Sequence, residues 1–190
     1  MTEKLICGLN YEDFVVRMEE FHGYRSPGIL VGAVMIEDAT REFGATPYLN
    51  VVTETVVCLP DAVQLLTPCT IGNGFLQVLD WGKFALTAYD RMTLAGIRVR
   101  INNETLVNFP LIQRWFERSL AARERPAFEE LAAEILKAGP SLISHRPVQL
   151  HQSFKISEHV STGPCPNCGE SYPLHFGAVC AACGGQAYYE

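Results

Sequence analysis

Cys165-Pro166-Asn167-Cys168-Gly169 and Cys180-Ala181-Ala182-Cys183-Gly184 form two Cys-x-x-Cys-Gly turns near the C-terminal end of the sequence. This pattern is typical of a four-cysteine zinc site, because each short turn aims two sulfurs at one point. About thirty residues cannot form a stable hydrophobic core alone, so a metal must supply much of the folding free energy. We therefore predict a four-cysteine zinc finger over residues 161–190, held by Cys165, Cys168, Cys180 and Cys183.

Four cysteine ligands leave no open coordination position, so this zinc is predicted to be structural and not catalytic. The alternative is a pair of disulfides or redox-active dithiols. That alternative is disfavoured in a reducing compartment, where clustered cysteines more often bind metal. The short apolar run at the start of the sequence does not resemble a secretory signal, and we expect a cytoplasmic location.

The composition of the finger argues against nucleic acid as its partner. From Ile156 to the last residue there is no lysine or arginine, whereas nucleic-acid affinity depends on cations that meet phosphates. A protein partner, a second subunit or simple stabilisation is favoured instead. Such contacts would use aromatic side chains, which alternatively pack beneath the zinc: Tyr172, His175, Phe176, Tyr188 and Tyr189.

Upstream of the finger, residues 144–160 are polar, contain three histidines and lack a helical period, and we interpret them as a linker or arm. Residues 1–143 form the candidate core domain. Their patterns run from helices to strands and back to helices, which predicts an α+β fold. Strands are expected over 49–57, over 75–80 and 83–89 on either side of a Trp81-Gly82 turn, and over 96–102.

The composition of the whole chain excludes several classes of protein. Its 190 residues carry a net charge of −6, which does not suit a generally basic nucleic-acid-coating protein. No apolar run approaches the length that a membrane-spanning helix needs. Charged residues make up only 19% of the chain, which indicates that another subunit covers part of its surface.

The core holds a second group of candidate functional residues. His22, Cys58 and Cys69 fall at the ends of predicted elements, where functional side chains collect. If the three converge, two cysteines and one histidine form a site for a labile or catalytic metal ion. Each cysteine taken alone is more often a buried packing residue. Asp61 is interpreted as a helix N-cap and Lys83 as a solvated strand residue, although either could assist at such a site.

Four core segments together resemble the family of FmdE-like proteins, which takes its name from a component of formylmethanofuran dehydrogenase. They occur in the family's order between about residues 10 and 140: Phe21–Gly28, Cys58–Gln64, Cys69–Gly74 and Asp80–Lys83. The resemblance implies an α+β core, a treble-clef-like or ribbon-like finger and an intertwined homodimer. It also implies an association with anaerobic one-carbon metabolism around molybdenum or tungsten enzymes, but not the dehydrogenase chemistry itself.

The sequence departs from the family pattern at two positions. Tyr24 stands where the family has a second histidine, and Ser26 where it has a cysteine. Two hypotheses follow. In the first, the protein is a zinc-binding accessory protein without catalytic activity. In the second, His22, Cys58 and Cys69 hold a second metal in a metal- or thiol-dependent enzyme of one-carbon metabolism, assisted by Asp61 or Lys83.

Overall fold

The computed structural model describes residues 5–117, 126–151, 154 and 160–189. The chain divides into two compact units, 1–153 and 154–190. The first unit has six α-helices and five strands within those ranges, besides a short 3-10 helix (Gly139–Leu142): α1 (Tyr11–His22), α2 (Pro27–Phe43), β1 (Leu49–Thr53), α3 (Leu59–Leu66), β2 (Leu76–Val78), β3 (Ala85–Asp90), β4 (Ala95–Ile101), α4 (Asn103–Leu106), α5 (Pro110–Phe116), α6 (Phe128–Ala138) and β5 (Ile143–Gln149). The α+β prediction is confirmed.

The five strands form one mixed sheet in the order β2-β1-β3-β4-β5. β1 runs parallel to β2 and antiparallel to β3. The sequence suggested that β2 and β3 flank a tight turn, but they do not pair, because β1 lies between them. β1 is also shorter than expected and ends at Thr53, after which residues 54–58 lead the chain to α3.

The segment 144–160 is not a linker or arm along its first part. β5 covers Ile143–Gln149 and pairs with β4 over its whole length. The core unit therefore extends past residue 143. β5 is the edge strand of the sheet, and edge strands tolerate the polar side chains that made this stretch look irregular. Phe154 and Val160 are the only residues of 152–160 that the structure describes.

α2 lies at the centre of the hydrophobic core. It contacts α3, α6 and strands β3 and β4, and its N-terminal half is buried on every side. Its approach to α3 is close, because Gly32 stands against Ala62 with no room for a Cβ atom. At the N-terminal end of α2, the short corner from Gly23 to Ser26 joins it to α1. Gly23 has the left-handed backbone (φ 88°) expected after a helix.

The second unit contains a two-stranded hairpin and the two cysteine turns. β6 (Thr162–Pro164) pairs antiparallel with β7 (Ser171–Pro173), and Tyr172 packs with Cys165 and Cys180 in a small buried cluster. In the part of the chain that the structure describes, no helix is long and apolar enough to cross a membrane.

Candidate functional site: a four-cysteine centre and a histidine–cysteine corner

The four finger cysteines converge on one point. Their sulfur atoms all lie within 4.8 Å of one another: those of Cys165, Cys168, Cys180 and Cys183. The Cys168 and Cys180 sulfurs are 3.8 Å apart. A tetrahedron with Zn–S bonds of about 2.3 Å has sulfur–sulfur edges of about 3.8 Å. The residues therefore fit a zinc ion, as the Cys-x-x-Cys spacing predicted.

Backbone amides prepare this site for negative charge. The N–H of Cys180 donates to Cys165 Sγ at 3.4 Å, and that of Cys183 to Cys180 Sγ at 3.5 Å. Backbone N–H groups, that of Cys180 foremost and those of Cys168 and Asn167 besides, lower the pKa of Cys165 to about 6. The pKa of Cys183 is raised to about 12, chiefly through its hydrogen bond with the crowded Cys180 sulfur. The Cys165 thiolate therefore forms readily. Four thiolates at one point repel each other, so a divalent cation is needed to hold them together.

The finger aromatics divide into one packing residue and several exposed ones. Tyr172 is buried, and its hydroxyl donates to the carbonyl of Gly177 at 2.7 Å. Phe176, Tyr188 and Tyr189 are exposed, Tyr188 to 96%. Both interpretations of the sequence therefore apply, since Tyr172 supports the metal centre while the other three remain available for contact.

In the core, His22 and Asp61 form a pair that the sequence did not reveal. Asp61 Oδ2 accepts a hydrogen bond from His22 Nδ1 at 2.6 Å, joining the end of α1 to the first turn of α3. Asp61 is therefore not the N-cap of α3, whose N-cap position is Cys58. The opposite ring nitrogen, His22 Nε2, is buried with no partner in the described residues. Tyr24 packs against the His22 ring, with centroids 4.6 Å apart.

Cys58, the N-cap residue of α3, lies next to the N-terminal end of α2 in space. Its Sγ is 3.4 Å from Ser26 Oγ, within hydrogen-bond distance. A Cβ atom on Gly28 would stand 2.9 Å from that sulfur, so only glycine allows this approach. Ser26 occupies the N-cap position of α2, but its side chain does not cap the helix. Cys58 itself has a positive φ of 55°, a conformation that is costly for a residue with a side chain.

Cys69 does not belong to this corner. It follows the C-terminal end of α3, whereas Cys58 precedes the N-terminal end, and the eight residues of the helix span about 12 Å. Its thiol is fully buried and donates to the carbonyl of Leu49 at 3.4 Å. Burial raises the pKa of Cys69. Among the described residues, no three-ligand metal group includes His22 or Cys58. The sequence left open whether His22, Cys58 and Cys69 converge, and the described residues do not bring their ligand atoms together in one group.

Lys83 is exposed, as expected for a solvated residue. It precedes β3, and its ammonium group lies 5.6 Å from the centre of the Trp81 ring. Its backbone N–H donates to the carbonyl of Glu54, beyond the end of β1. No described contact links its side chain to His22 or Asp61.

A polar cluster between α2 and β5 escaped sequence reasoning altogether. The carboxylate of Asp38, buried in α2, accepts from His145 Nδ1 at 2.8 Å, and Glu42 lies near the other ring nitrogen. These three residues have metal-ligand chemistry. However, the guanidinium of Arg41 pairs with both carboxylates and already offsets one of their two negative charges. In the sequence, the spacing of Asp38 and Glu42 was the signal for this cluster. It did not indicate that His145 in β5, 107 residues after Asp38, would complete it.

Comparison with known proteins agrees with this two-unit architecture. A family model described as FmdE, molybdenum formylmethanofuran dehydrogenase operon, matches residues 21–151. A second, the FmdE treble clef zinc finger, matches residues 157–190. A solved structure of a tungsten formylmethanofuran dehydrogenase FmdE-like protein from Syntrophus aciditrophicus superposes with a TM-score of 0.87. It is 38% identical, and the match covers 100% of both chains.

A curated protein from Archaeoglobus fulgidus is also similar. Its name is probable S-adenosyl-L-methionine-binding protein, and it is 28% identical over 83% of this chain. The chain spans only about half of that protein, 53% of its length.

Proposed function

This chain belongs to the FmdE family, and we propose that it is a zinc-binding accessory protein that acts by binding and not by catalysis. The observation that carries the proposal is the separation of Cys58 from Cys69 by the length of α3. His22 and Cys58 alone are too few ligands for a catalytic zinc, which needs three from the protein. In this proposal the finger zinc is the single structural metal, and the corner around His22 binds a ligand or a partner.

The accessory protein is a homodimer in this proposal. Large apolar side chains are exposed around the corner: Phe21 and Tyr24 flank His22, and Val56 and Val57 precede Cys58. Contiguous exposed apolar surface of this kind marks interaction sites. A second copy of the chain is the occupant that we propose, in the intertwined arrangement that the family resemblance implies.

Light scattering on the eluting peak of a gel-filtration column tests the dimer. We expect a mass of two chains at micromolar concentration for the wild type and of one chain for Val57→Glu. The matched control is Met92→Glu, which places the same charge at an exposed apolar residue in the β3–β4 turn. A monomeric wild type, or a Val57→Glu variant that remains a dimer, would contradict this interface.

The exposed finger aromatics are the proposed contact for a second protein. Because the family descriptions concern formylmethanofuran dehydrogenase, the partner class that we propose is the catalytic subunits of such a molybdenum or tungsten enzyme. The test measures, by biolayer interferometry, the affinity of the purified zinc-loaded chain for those subunits. Phe176→Ser should weaken binding about tenfold, since exposed aromatics are frequent anchors of interfaces. Val107→Ser, a change at an equally exposed apolar residue of the core, should leave it unchanged.

The name of the Archaeoglobus relative gives a small molecule to test. We propose S-adenosyl-L-methionine as a ligand of this chain, with the His22 corner as its site. Isothermal titration of the full chain should then show saturable binding that His22→Ala removes. The control is Lys137→Ala, a change in the last turn of α6. Heat signals that are the same for the wild type and His22→Ala would exclude this corner as the site.

One observation favours the alternative, a metal- or thiol-dependent enzyme. Asp61 fixes the His22 ring and leaves Nε2 buried without a partner in the described residues, an arrangement that suits a general base or a metal ligand. Metal content and alkylation rates of Cys58→Ser and Cys69→Ser decide between the two. If either variant loses a second metal, or if Cys58 reacts unusually fast, the enzyme hypothesis gains. If metal content and thiol reactivity stay unchanged, it fails.

A further inference from the structure

The polar cluster between α2 and β5 joins one buried carboxylate to two exposed side chains. Asp38 of α2 has a side chain that is only 3% exposed. His145 of β5 and Glu42, one turn further along α2, are each more than a third exposed. An ion in solution can therefore reach the outer part of the cluster, while the core holds its inner part in place.

The hydrogen bond to Asp38 determines which nitrogen of His145 is free to bind something else. A carboxylate accepts and does not donate, so Nδ1 of His145, at 2.8 Å from Asp38 Oδ2, carries the proton. In the neutral ring, Nε2 then has a free lone pair, and this atom lies 3.9 Å from Oε2 of Glu42. Metal-binding histidines have the same arrangement, in which one ring nitrogen donates to a carboxylate and the other binds the ion.

The gap between His145 and Glu42 is one that a cation can fill. In this tautomer Nε2 and Oε2 are both acceptors, and 3.9 Å is too long for a hydrogen bond between them. Two ligand atoms with bonds of about 2.1 Å to one ion are about 3.4 Å apart at the tetrahedral angle. Because both side chains are exposed, a movement of about half an ångström is enough to bring the two atoms to that distance.

The charges of the cluster also favour a cation. Asp38 and Glu42 carry two negative charges, and the single positive charge of Arg41 pairs with both. Arg41 contacts Oδ1 of Asp38 and Oε1 of Glu42, which leaves Oδ2 and Oε2 on the side of His145. One negative charge is therefore not compensated within the cluster. The Arg41 side chain is 54% exposed, so it can move away when a metal ion binds.

We propose that His145 and Glu42 form a binding site for an exchangeable divalent transition-metal ion. Nε2 of His145 and Oε2 of Glu42 are its protein ligands, and water completes the coordination shell. Asp38 is a positioning residue, because it holds the imidazole ring and fixes its tautomer. An imidazole beside a carboxylate suits nickel, copper or zinc, whereas magnesium and calcium prefer oxygen ligands alone.

This site is independent of the proposed function. Asp38 lies eleven residues after Pro27, the first residue of α2, which places it about 16 Å along the helix from the end that borders the His22 corner. The metal ion bound there is exchangeable and additional to the structural zinc of the finger.

Isothermal titration of Ni²⁺ into the tag-free, zinc-loaded full chain at pH 7.5 tests the site. Native mass spectrometry of the same sample distinguishes the nickel from the finger zinc by mass. We expect saturable binding of one nickel ion per chain beside the zinc. His145→Ala and Glu42→Gln should each weaken that binding at least about tenfold, since each removes one of two protein ligands. His151→Ala removes an exposed histidine outside the cluster and should leave the affinity unchanged.

Two further variants distinguish a metal site from an ordinary network of ion pairs. Asp38→Asn keeps the shape of the side chain but holds the ring less firmly, and it should weaken nickel binding about tenfold. Circular dichroism shows whether this variant is folded. Arg41→Gln removes the competing cation from the exposed side of the cluster, and it should tighten nickel binding about threefold.

The outcomes that would overturn the proposal are specific. His22→Ala alters only the corner of the proposed function, so it should leave nickel binding intact. If nickel binding is lost in His22→Ala and survives in His145→Ala, the ion belongs to the corner and not to this cluster. Absence of saturable binding in the wild type, displacement of the finger zinc instead of additional binding, or weaker binding in Arg41→Gln would equally contradict the site.

Discussion

Replacing Gly32 by alanine tests how closely α2 and α3 pack, and this packing positions Cys58 and Asp61. A Cβ atom at Gly32 would stand 2.6 Å from Ala62 Cβ, closer than real Cβ atoms approach. Overpacking of this kind costs about 1–3 kcal/mol. Alanine in place of glycine inside a helix returns about 0.5–1 kcal/mol. The net expected change is a loss of up to about 2.5 kcal/mol in the free energy of unfolding.

Urea denaturation followed by tryptophan fluorescence measures this change in the core alone. Both tryptophans, Trp81 and Trp115, belong to the first unit. Thermal unfolding should show the same sign, with a fall of about 2–4 °C in Tm for each kcal/mol. Adding Ala62→Gly should relieve the clash, so that the double variant loses less than the sum of the two single losses.

The sign of the effect is decisive. If the helices were further apart, Gly32→Ala would stabilise the protein by about 0.5–1 kcal/mol through helix propensity alone. A rise in stability, or strict additivity with Ala62→Gly, would show that the two helices are not in close contact at Gly32. Gly72→Ala is the matched control, because a Cβ atom there meets nothing within 4 Å. Its effect should stay within about 0.5 kcal/mol.

Three more predictions concern the core. Glu54→Ala should cost about 3 kcal/mol in urea denaturation, because it strips a largely buried Arg98 of the carboxylate that accepts two hydrogen bonds at 2.6 Å. Asn10→Ala should cost about 1 kcal/mol in the same assay, since the Asn10 side chain accepts from the backbone at the start of α1. Burial raises the pKa of both Cys7 and Cys69, that of Cys7 to about 12. Because their thiolates form only at higher pH, both should resist iodoacetamide at pH 8 and react faster as the pH rises towards 12.

Controls for these predictions come from the same chain. Glu129→Ala breaks an exposed pair with Arg25 and should cost less than about 1 kcal/mol. If it costs as much as Glu54→Ala, burial does not decide the value of the ion pair. A free-cysteine peptide sets the alkylation rate of an unperturbed thiol. Rates for Cys7 and Cys69 that match the peptide at pH 8 would contradict their burial.

The most reliable predictions from the sequence were of features that depend on residues close together in the chain. The cysteine spacing identified the finger ligands, which the structure brings together at one point. Short-range signals of this kind do not depend on the rest of the fold. The class of the core also followed from the order of helical and strand patterns.

Contacts between distant residues were the ones that the sequence could not predict. Asp61 looked like a helix cap, because its partner His22 lies 39 residues earlier in the chain. The Trp81-Gly82 turn suggested a hairpin, but the insertion of β1 between β2 and β3 depends on pairing across the whole sheet. Cys58 and Cys69 looked like joint ligands because each borders a loop, yet α3 holds them apart.

A native mass spectrum of the gently purified protein reads metal content and subunit number together. We expect a dimer with one zinc per chain, and loss of that zinc in Cys183→Ser but not in Cys69→Ser. Two metal ions per chain, the second of them lost when His22 or Cys58 is replaced, would show that the core corner holds a metal and would overturn the proposed accessory role.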